Sequence, residues 1–393
     1  MSRKDKREEN ASHESEPKKK IVIKLPEFKG FTKKQILIGL MIVLVLVLIL
    51  ILMNRAELGI VFNKNITDDD VIQVDLIGAN NKMYSYYNEV LIANADGICT
   101  YNRYGRKTWE LDMTSAVDCD INTSGRYLQI INSDKSKIYI YNDKYETAQI
   151  RVDGTVLSGT INSKGDSVIE HTTSGNKTIL TVYDKNGRAK YNVKVSNNTI
   201  GKYILSDDSK YLAYVDVNIK GISVSSKIQL IEFKGKKDAI IKDVIDETNA
   251  LIYDIEFDGN NLIYRSERNV GNYNIITEKL KSTSVSDNEI TFLDIDGRKY
   301  SYVTSKKTGY YLGIRKVGTE LEKEIPIEEQ PRYYIYDNGK IYVCYQKKMC
   351  IYNNAKIKIK EYQSNTVITK PVTMNSGHDI AFLVSNKLII YTI

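Results

Sequence analysis

Three histidines and four cysteines are the side chains best suited to nucleophilic, acid–base or metal chemistry in this chain. His13 lies in a polar N-terminal tail, His171 ends a predicted strand, and His378 falls in a predicted turn. A Ser-His-Asp arrangement needs a histidine beside an activated hydroxyl. His171 is the one candidate, but no G-x-S-x-G elbow accompanies it. We therefore read it as a strand-end residue at the surface or rim. Cys99, Cys119, Cys344 and Cys350 lack metal-ligand spacing. Cys344 and Cys350 fall on neighbouring strands of one predicted hairpin. A three-residue loop would set them opposite each other, and a two-residue loop at Lys347-Lys348 would put them on opposite faces. Cys99 and Cys119 lie in adjacent units and could meet. The expectation is buried thiols that behave as small hydrophobes. Several Asp- and Asn-rich turns suggest calcium loops, yet no Asp-x-Asp-x-Asp run ends in a Glu ligand. No catalytic, cofactor-binding or metal-binding residue is assigned, and no cofactor is expected.

The elements that carry these residues repeat. Leu205–Val215, LSDDSKYLAYV, is an apolar residue, a polar turn and a short hydrophobic strand. The same pattern recurs at Val90–Ala93, Tyr127–Ile131, Val168–Glu170, Leu262–Tyr264, Tyr300–Val303, Ile341–Tyr345 and Ile380–Val384. Counting the opening stretch from its strand, Tyr211–Val215, successive starts are 37, 41, 43, 51, 38, 41 and 39 residues apart. A four-stranded propeller blade occupies about 40–45 residues. The turns use Asp and Asn, which bond their own backbone, and Gly, which accepts positive φ. Examples are Asn162-Ser163-Lys164-Gly165 and Asp337-Asn338-Gly339-Lys340. A third strand follows each second one, among them Ile98–Tyr101, Ile228–Phe233 and Tyr273–Thr277. The predicted fold is an all-β, eight-bladed propeller over residues 71–393, or a seven-bladed one if the first unit, with its short inner strand near Met83–Tyr86, is incomplete. The last unit lacks a fourth strand, so the segment 71–77 (VIQVDLI) is expected to pair with it and remove the open edge.

Ahead of the propeller, Ile36–Met53 is an apolar run of 18 residues. A bilayer core about 30 Å thick needs roughly 20 such residues in a helix. Lys33 and Lys34 abut its N-terminal end, which by the positive-inside rule leaves the N-terminus cytoplasmic and the propeller extracytoplasmic. A cleaved signal peptide would have a shorter core and an A-x-A site; the run ends instead in Met53-Asn54-Arg55. The sequence is thus divided into a polar, basic cytoplasmic tail (1–34) too poor in apolar residues to fold alone, a single-pass signal-anchor helix (35–53), a linker (54–70) and the propeller. Residues 1–34 hold 11 Lys/Arg and 6 Asp/Glu, so +5 of the total charge of +7 sits in the tail and +2 is left for the rest. A nucleic-acid-binding domain carries its basic face on the folded part, and none is expected here.

Ser206–Val215 resembles the "SPDGKYLAYV" strand of TolB-type and WD40-like propellers. Asp96-Gly97-Ile98-Cys99-Thr100-Tyr101, with Gly105 and Trp109, is similar to a blade of the quinoprotein-like propellers. That second resemblance would imply a quinone cofactor docked by a Trp motif in each blade. Trp109 is the only tryptophan, so the motif is missing elsewhere and Trp109 is read as an inter-blade packing residue. The whole chain resembles uncharacterised single-pass, membrane-anchored propeller proteins of low-GC Gram-positive bacteria, a family of unknown function. The functional expectation is a non-enzymatic scaffold that binds a protein or cell-envelope partner on a loop face. A rim of Val217–Ser226, Arg268–Asn272 and Lys306–Thr308 is the candidate contact. The alternative is an enzyme or small-ligand sensor using the channel, such as a glycan hydrolase or lyase.

Overall fold

The computed structural model describes residues 39–45, 47 and 64–393, apart from short segments at 79, 133, 174–176, 196–198, 236–237, 285–288, 298, 320–322 and 375. The chain divides into two units, Met1–Asn54 and Arg55–Ile393. In the first, residues 39–45 and 47 are helical and exposed. Among the described residues no helix is long and apolar enough to cross a membrane. The tail 1–34 expected to be cytoplasmic, most of the predicted span 35–53 and residues 54–63 lie outside the described residues.

The second unit is an eight-bladed propeller of four-stranded antiparallel sheets. Blade 1 consists of Lys82–Tyr86, Glu89–Ala93, Gly97–Tyr101 and Lys107–Asp112, so the first unit is a full blade and the seven-bladed alternative falls. Blades 2 to 7 follow as 120–150, 156–194, 199–247, 252–284, 289–327 and 333–363. Blade 8 takes three strands from 372–392 and its fourth from Ile72–Asp75. Ile72 pairs with Ile390 and Asp75 with Lys387 in antiparallel register. First strands of neighbouring blades contact one another at most of the seams and so form the channel wall.

Each second strand is apolar without interruption because both of its faces are covered. Val90, Leu91, Ile92 and Ala93 are all 0% exposed. Val90 and Ile92 pack toward blade 8, whereas Leu91 and Ala93 pack toward blade 2. The same alternation places Leu212 and Tyr214 against blade 3, and Ala213 and Val215 against blade 5. An apolar cluster of this kind fills every one of the eight interfaces between blades. Each fully buried aliphatic side chain is worth about 1.5–3 kcal/mol. Trp109 is one of these interface residues, with its ring edge-on to Tyr141 of blade 2 at 5.6 Å.

Three expectations change. Residues 64–70 are not linker throughout: Lys64–Ile66 forms a fifth strand, parallel to Lys358–Gln363, and buries Ile66. A three-residue strand has too little pattern of its own and is defined by its remote partner. In blade 5 the third strand is Asn269–Asn274, and residues 275–278 are the turn after it, so the expected Tyr273–Thr277 is displaced. This strand reads poorly because it is rich in Asn and contains Gly271. The glycine is required by packing: Gly271 lies opposite Tyr264, and a Cβ there would sit 2.1 Å from the Tyr264 Cε1 atom. Blade 6 repeats the device with Gly313 under Tyr302. Finally, the insertion Val217–Ser226 lengthens strands only at its two ends. Tyr211–Asn218 and Ser225–Lys234 absorb its ends, and the loop is 219–224.

Tyr264 is held between blades 4 and 5 and cannot swing away, so Gly271→Ala is an overpacking change. It is expected to destabilise the propeller by about 1–3 kcal/mol. The check is a lower denaturant midpoint with an unchanged slope.

Candidate functional site

Two regions concentrate polar chemistry or exposed apolar surface. The first is at the channel wall. Asp254 and Glu256 lie on the first strand of blade 5, Asp294 on the first strand of blade 6 and Lys202 on the first strand of blade 4. Cross-strand pairing sets Arg265 opposite Asp254 on the face toward blade 6. Its Nη1 is 3.1 Å from Asp254 Oδ2, and its Nη2 is 3.6 Å from Asp294 Oδ1 and 3.7 Å from Glu256 Oε2. Arg265 Nη1 also donates to the Leu293 carbonyl at 3.2 Å. Lys202 pairs with the remaining side of Asp254. Asp294 Oδ2 accepts the Tyr336 backbone N–H of blade 7 at 2.8 Å. One guanidinium thus bridges two blades, and the carboxylates around it extend the tie to blades 4 and 7.

Burial raises the pKa of both Glu256 and Asp294 above the usual carboxylate range, and Arg265 offsets part of that. Glu256 keeps almost half of its side chain in contact with solvent. Its pKa still rises because the channel wall surrounds it with protein and leaves little bulk water. Another carboxyl, Glu170 of blade 3, is also raised by burial; it accepts from Ser158 Oγ at 2.8 Å, and Ser158 is 2.6 Å from the Tyr203 hydroxyl of blade 4. These acids fit two roles: ties between blades, or a proton-exchanging wall for a channel ligand.

The second region is on one face of the ring. Loops between second and third strands emerge there with the connections from blade to blade. The loop 219–224 exposes Ile219, Ile222 and Val224, and Ile222 is fully solvated. Ser223 Oγ bonds Asn249 Oδ1 in the connection to blade 5, and Arg268 Nη1 donates to the Thr248 carbonyl of that connection at 3.5 Å. The structure therefore brings the loop and Arg268 to one connection. It does not bring the rest of the expected rim: Asn269–Asn272 is strand, and Lys306 and Thr308 pair within blade 6, with Glu324 and Tyr311.

His171 is buried, not at the surface or rim. Its Nε2 lies 2.8 Å from Thr181 Oγ1, which donates to Asn192 Oδ1 at 2.9 Å. Thr181 must then accept from Nε2–H, which leaves Nδ1 bare, buried and without a partner. Among the described residues no carboxylate orients this ring as a triad would require. His378 is exposed in its turn, and His13 is outside the described residues. All four cysteines are free thiols. The hairpin loop is Gln346-Lys347, closed by the Tyr345 N–H to the Lys348 carbonyl at 2.7 Å. Cys344 consequently faces blade 8 and Cys350 faces blade 6. Burial pushes the Cys350 thiol up to about 12. Cys350 Sγ approaches Glu361 at 3.7 Å, with Glu328 close by, but Lys358 and Lys348 already neutralise those two carboxylates.

Replacing Arg265 by Met leaves three carboxyls facing one another at the channel wall. The folded pKa values of Glu256 and Asp294, already raised, then rise further above the unfolded ones, so stability present at acid pH is lost as pH rises. The expected cost is about 2–4 kcal/mol at neutral pH, with a smaller deficit near pH 4.5, read from unfolding midpoints at the two pH values.

The fold has many known relatives. The propeller is similar to BamB from Moraxella catarrhalis at 11% identity and a TM-score of 0.52, over 84% of this chain and 97% of that one. Saccharomyces cerevisiae Sqt1 gives 8% identity and a TM-score of 0.54, over 84% and 100%. The WD40 domain of SCAP from fission yeast gives 10% and 0.54, over 84% and 96%. At these identities the likeness is one of fold. No curated protein matches the chain. Residues 63–392, which span the whole ring and its added strand, match a single family description, and the chain accordingly belongs to the family of unknown function DUF5711.

Proposed function

We propose that this protein is a non-enzymatic scaffold, held outside a cell membrane by the helix 36–53, that engages a protein or cell-envelope partner through the blade-4 loop face. The observation that carries the reading is Ile219, Ile222 and Val224 on one protruding loop. Exposed apolar side chains gathered at one place mark interaction surfaces. The rigid ring behind them presents the loop at little entropic cost. Support for the tether is the apolar run Ile36–Met53 with Lys33 and Lys34 before it.

In cells, crosslinking followed by capture of the full-length protein is expected to recover a partner that a fragment 1–60 does not. Ile219→Ser with Ile222→Ser is expected to abolish that capture while changing folding stability by no more than about 0.5 kcal/mol, since surface changes rarely do more. Undiminished capture by the double variant sinks the loop assignment. The tether is tested separately. Full-length protein should stay with membranes through alkaline carbonate washing, and added protease should reach the propeller from the outer side only. Release of the full-length protein by carbonate would remove the anchor from the reading.

A second reading, a ligand sensor or glycan-cleaving enzyme in the channel, draws on the raised carboxyls Glu256 and Asp294. Both are engaged by Arg265, which favours a tie between blades. A glycan turned over by the wild type and not by Glu256→Gln would reverse that preference.

A further inference from the structure

The seam between blades 5 and 6 changes sign from channel to rim. Alternation in blade 5 puts four cross-strand neighbours in one row toward blade 6: Asp258, Asn261, Asn274 and Lys279. The adjacent row is Glu256, Ile263, Asn272 and Lys281. Ile263 is buried against Tyr300 and Tyr302 of blade 6, which shows where these rows point. The inner ends, Asp258 and Glu256, are acidic, with Glu256 beside Arg265, and the outer ends are lysines.

At the outer end lies a groove of about 340 Å³, lined by Asn261, Asn272, Asn274, Lys279, Lys281 and Lys316, with Thr277 at its edge. Its floor is set by side-chain amides. Asn274 Nδ2 donates to Asn261 Oδ1 at 3.1 Å, Asn261 Nδ2 donates to the Asp258 carbonyl at 3.2 Å, and Asn274 Oδ1 accepts from Thr277 Oγ1 at 2.9 Å. The Gly318 N–H of blade 6 donates to Thr283 Oγ1 of blade 5 at 2.9 Å and pins the two walls together. The lysines stand apart from this network. Lys279, Lys281 and Lys316 make no ion pair among the described residues, and Glu278 beside them is turned to Lys242 of blade 4. Lys279 and Lys281 are two residues apart on one face of a strand, so their charges repel. Nothing in the packing of the two blades requires three cations here.

We propose that this groove is a binding site for the phosphate of a phosphorylated sugar or polyol. Ammonium groups act as compact point charges that suit phosphate oxygens, and a phosphate monoester carrying nearly two negative charges answers the three lysines better than a single carboxylate does. The Asn272 amide and the acceptor side of the Thr277 hydroxyl are placed for ligand hydroxyls. The volume falls within the roughly 300–1,000 Å³ of small-molecule sites. The groove opens on the face of the ring that carries the turns between third and fourth strands, opposite the loop 219–224. The site is therefore independent of the partner surface proposed above.

The test is calorimetric or ligand-observed NMR titration of the full-length protein in nonionic detergent with glucose 1-phosphate, inorganic phosphate and glucose. Glucose 1-phosphate should bind saturably and more tightly than inorganic phosphate, glucose should not bind, and added salt should weaken the interaction. The triple variant Lys279→Ala, Lys281→Ala, Lys316→Ala should weaken binding on the order of tenfold or more, the worth of lost charge-assisted hydrogen bonds. Lys164→Ala, Lys177→Ala, Lys194→Ala, three exposed lysines of blade 3, should leave it unchanged. Lys281→Glu alone gives the same reading if the triple variant unfolds. The proposal is overturned if the wild type binds neither phosphate, or if the blade-3 control weakens binding as much. Equal affinity for inorganic phosphate overturns the sugar or polyol assignment.

Discussion

A strand of four residues near the start of the propeller holds the ring shut. Ile72–Asp75 hydrogen-bonds to the last strand of the chain, and Asn386 Nδ2 donates to the Leu76 carbonyl across 310 residues of sequence. Without that pairing blade 8 would present an open edge, and blade 1 would lose the apolar cluster that includes Leu76, Leu388 and Ile390. A second tie crosses the same junction: Arg103 of blade 1 reaches the fully buried Asp379 of blade 8 at 3.1 Å. A buried carboxylate has to be paired to be tolerated, so the ion pair commits blade 1 to this neighbour. The closing contacts are the most distant in sequence, and bringing such ends together costs chain entropy that only the completed ring recovers.

Closure in turn explains the composition of the blades. Within a ring every sheet is sandwiched between two others, so the middle strands have no solvent face. Tyrosine fills much of the inter-blade space, and its hydroxyl can still find a partner at a seam. Tyr86 donates to the Arg126 carbonyl of blade 2 at 3.0 Å, and Tyr342 to the Gly377 carbonyl of blade 8 at 3.0 Å. Where two tyrosines would collide with the neighbouring strand, glycines at 271 and 313 make room.

Three places that this packing leaves over hold polar and exposed groups: the channel wall, the loops and the outer ends of the seams. At the channel wall, charges are neutralised between blades, as Arg265 does for blades 5 and 6. At the outer end of the same seam they are not, and three lysines face a groove floored with amides. The loop of blade 4 is a third kind of exception, apolar where the chain is otherwise polar. Rigid interfaces surround all three places, so each is presented in a fixed geometry.

The repeat, the blade count and the strand that completes the last blade were legible in the residues, because two-sided burial leaves an uninterrupted apolar run and tight turns demand Asp, Asn and Gly. The packing of Trp109 at a seam was legible for a related reason, and the ring is half-buried there against Tyr141 of the next blade. Other features had no local signature. Arg265, Asp254 and Asp294 are ordinary charged residues in their own strands and acquire meaning only when blades 4, 5 and 6 are set side by side. Lys279, Lys281 and Lys316 look like solvated strand residues until the seam gathers them. His171 reads as a strand end, yet the ring closes over it. The strand 64–66 and the Asn-rich third strand of blade 5 carry too little hydrophobic pattern to declare themselves. Alternation along one strand is a property of the chain, whereas which charge faces which across a seam depends on how neighbouring sheets are rotated and packed, and that is decided by the closed ring.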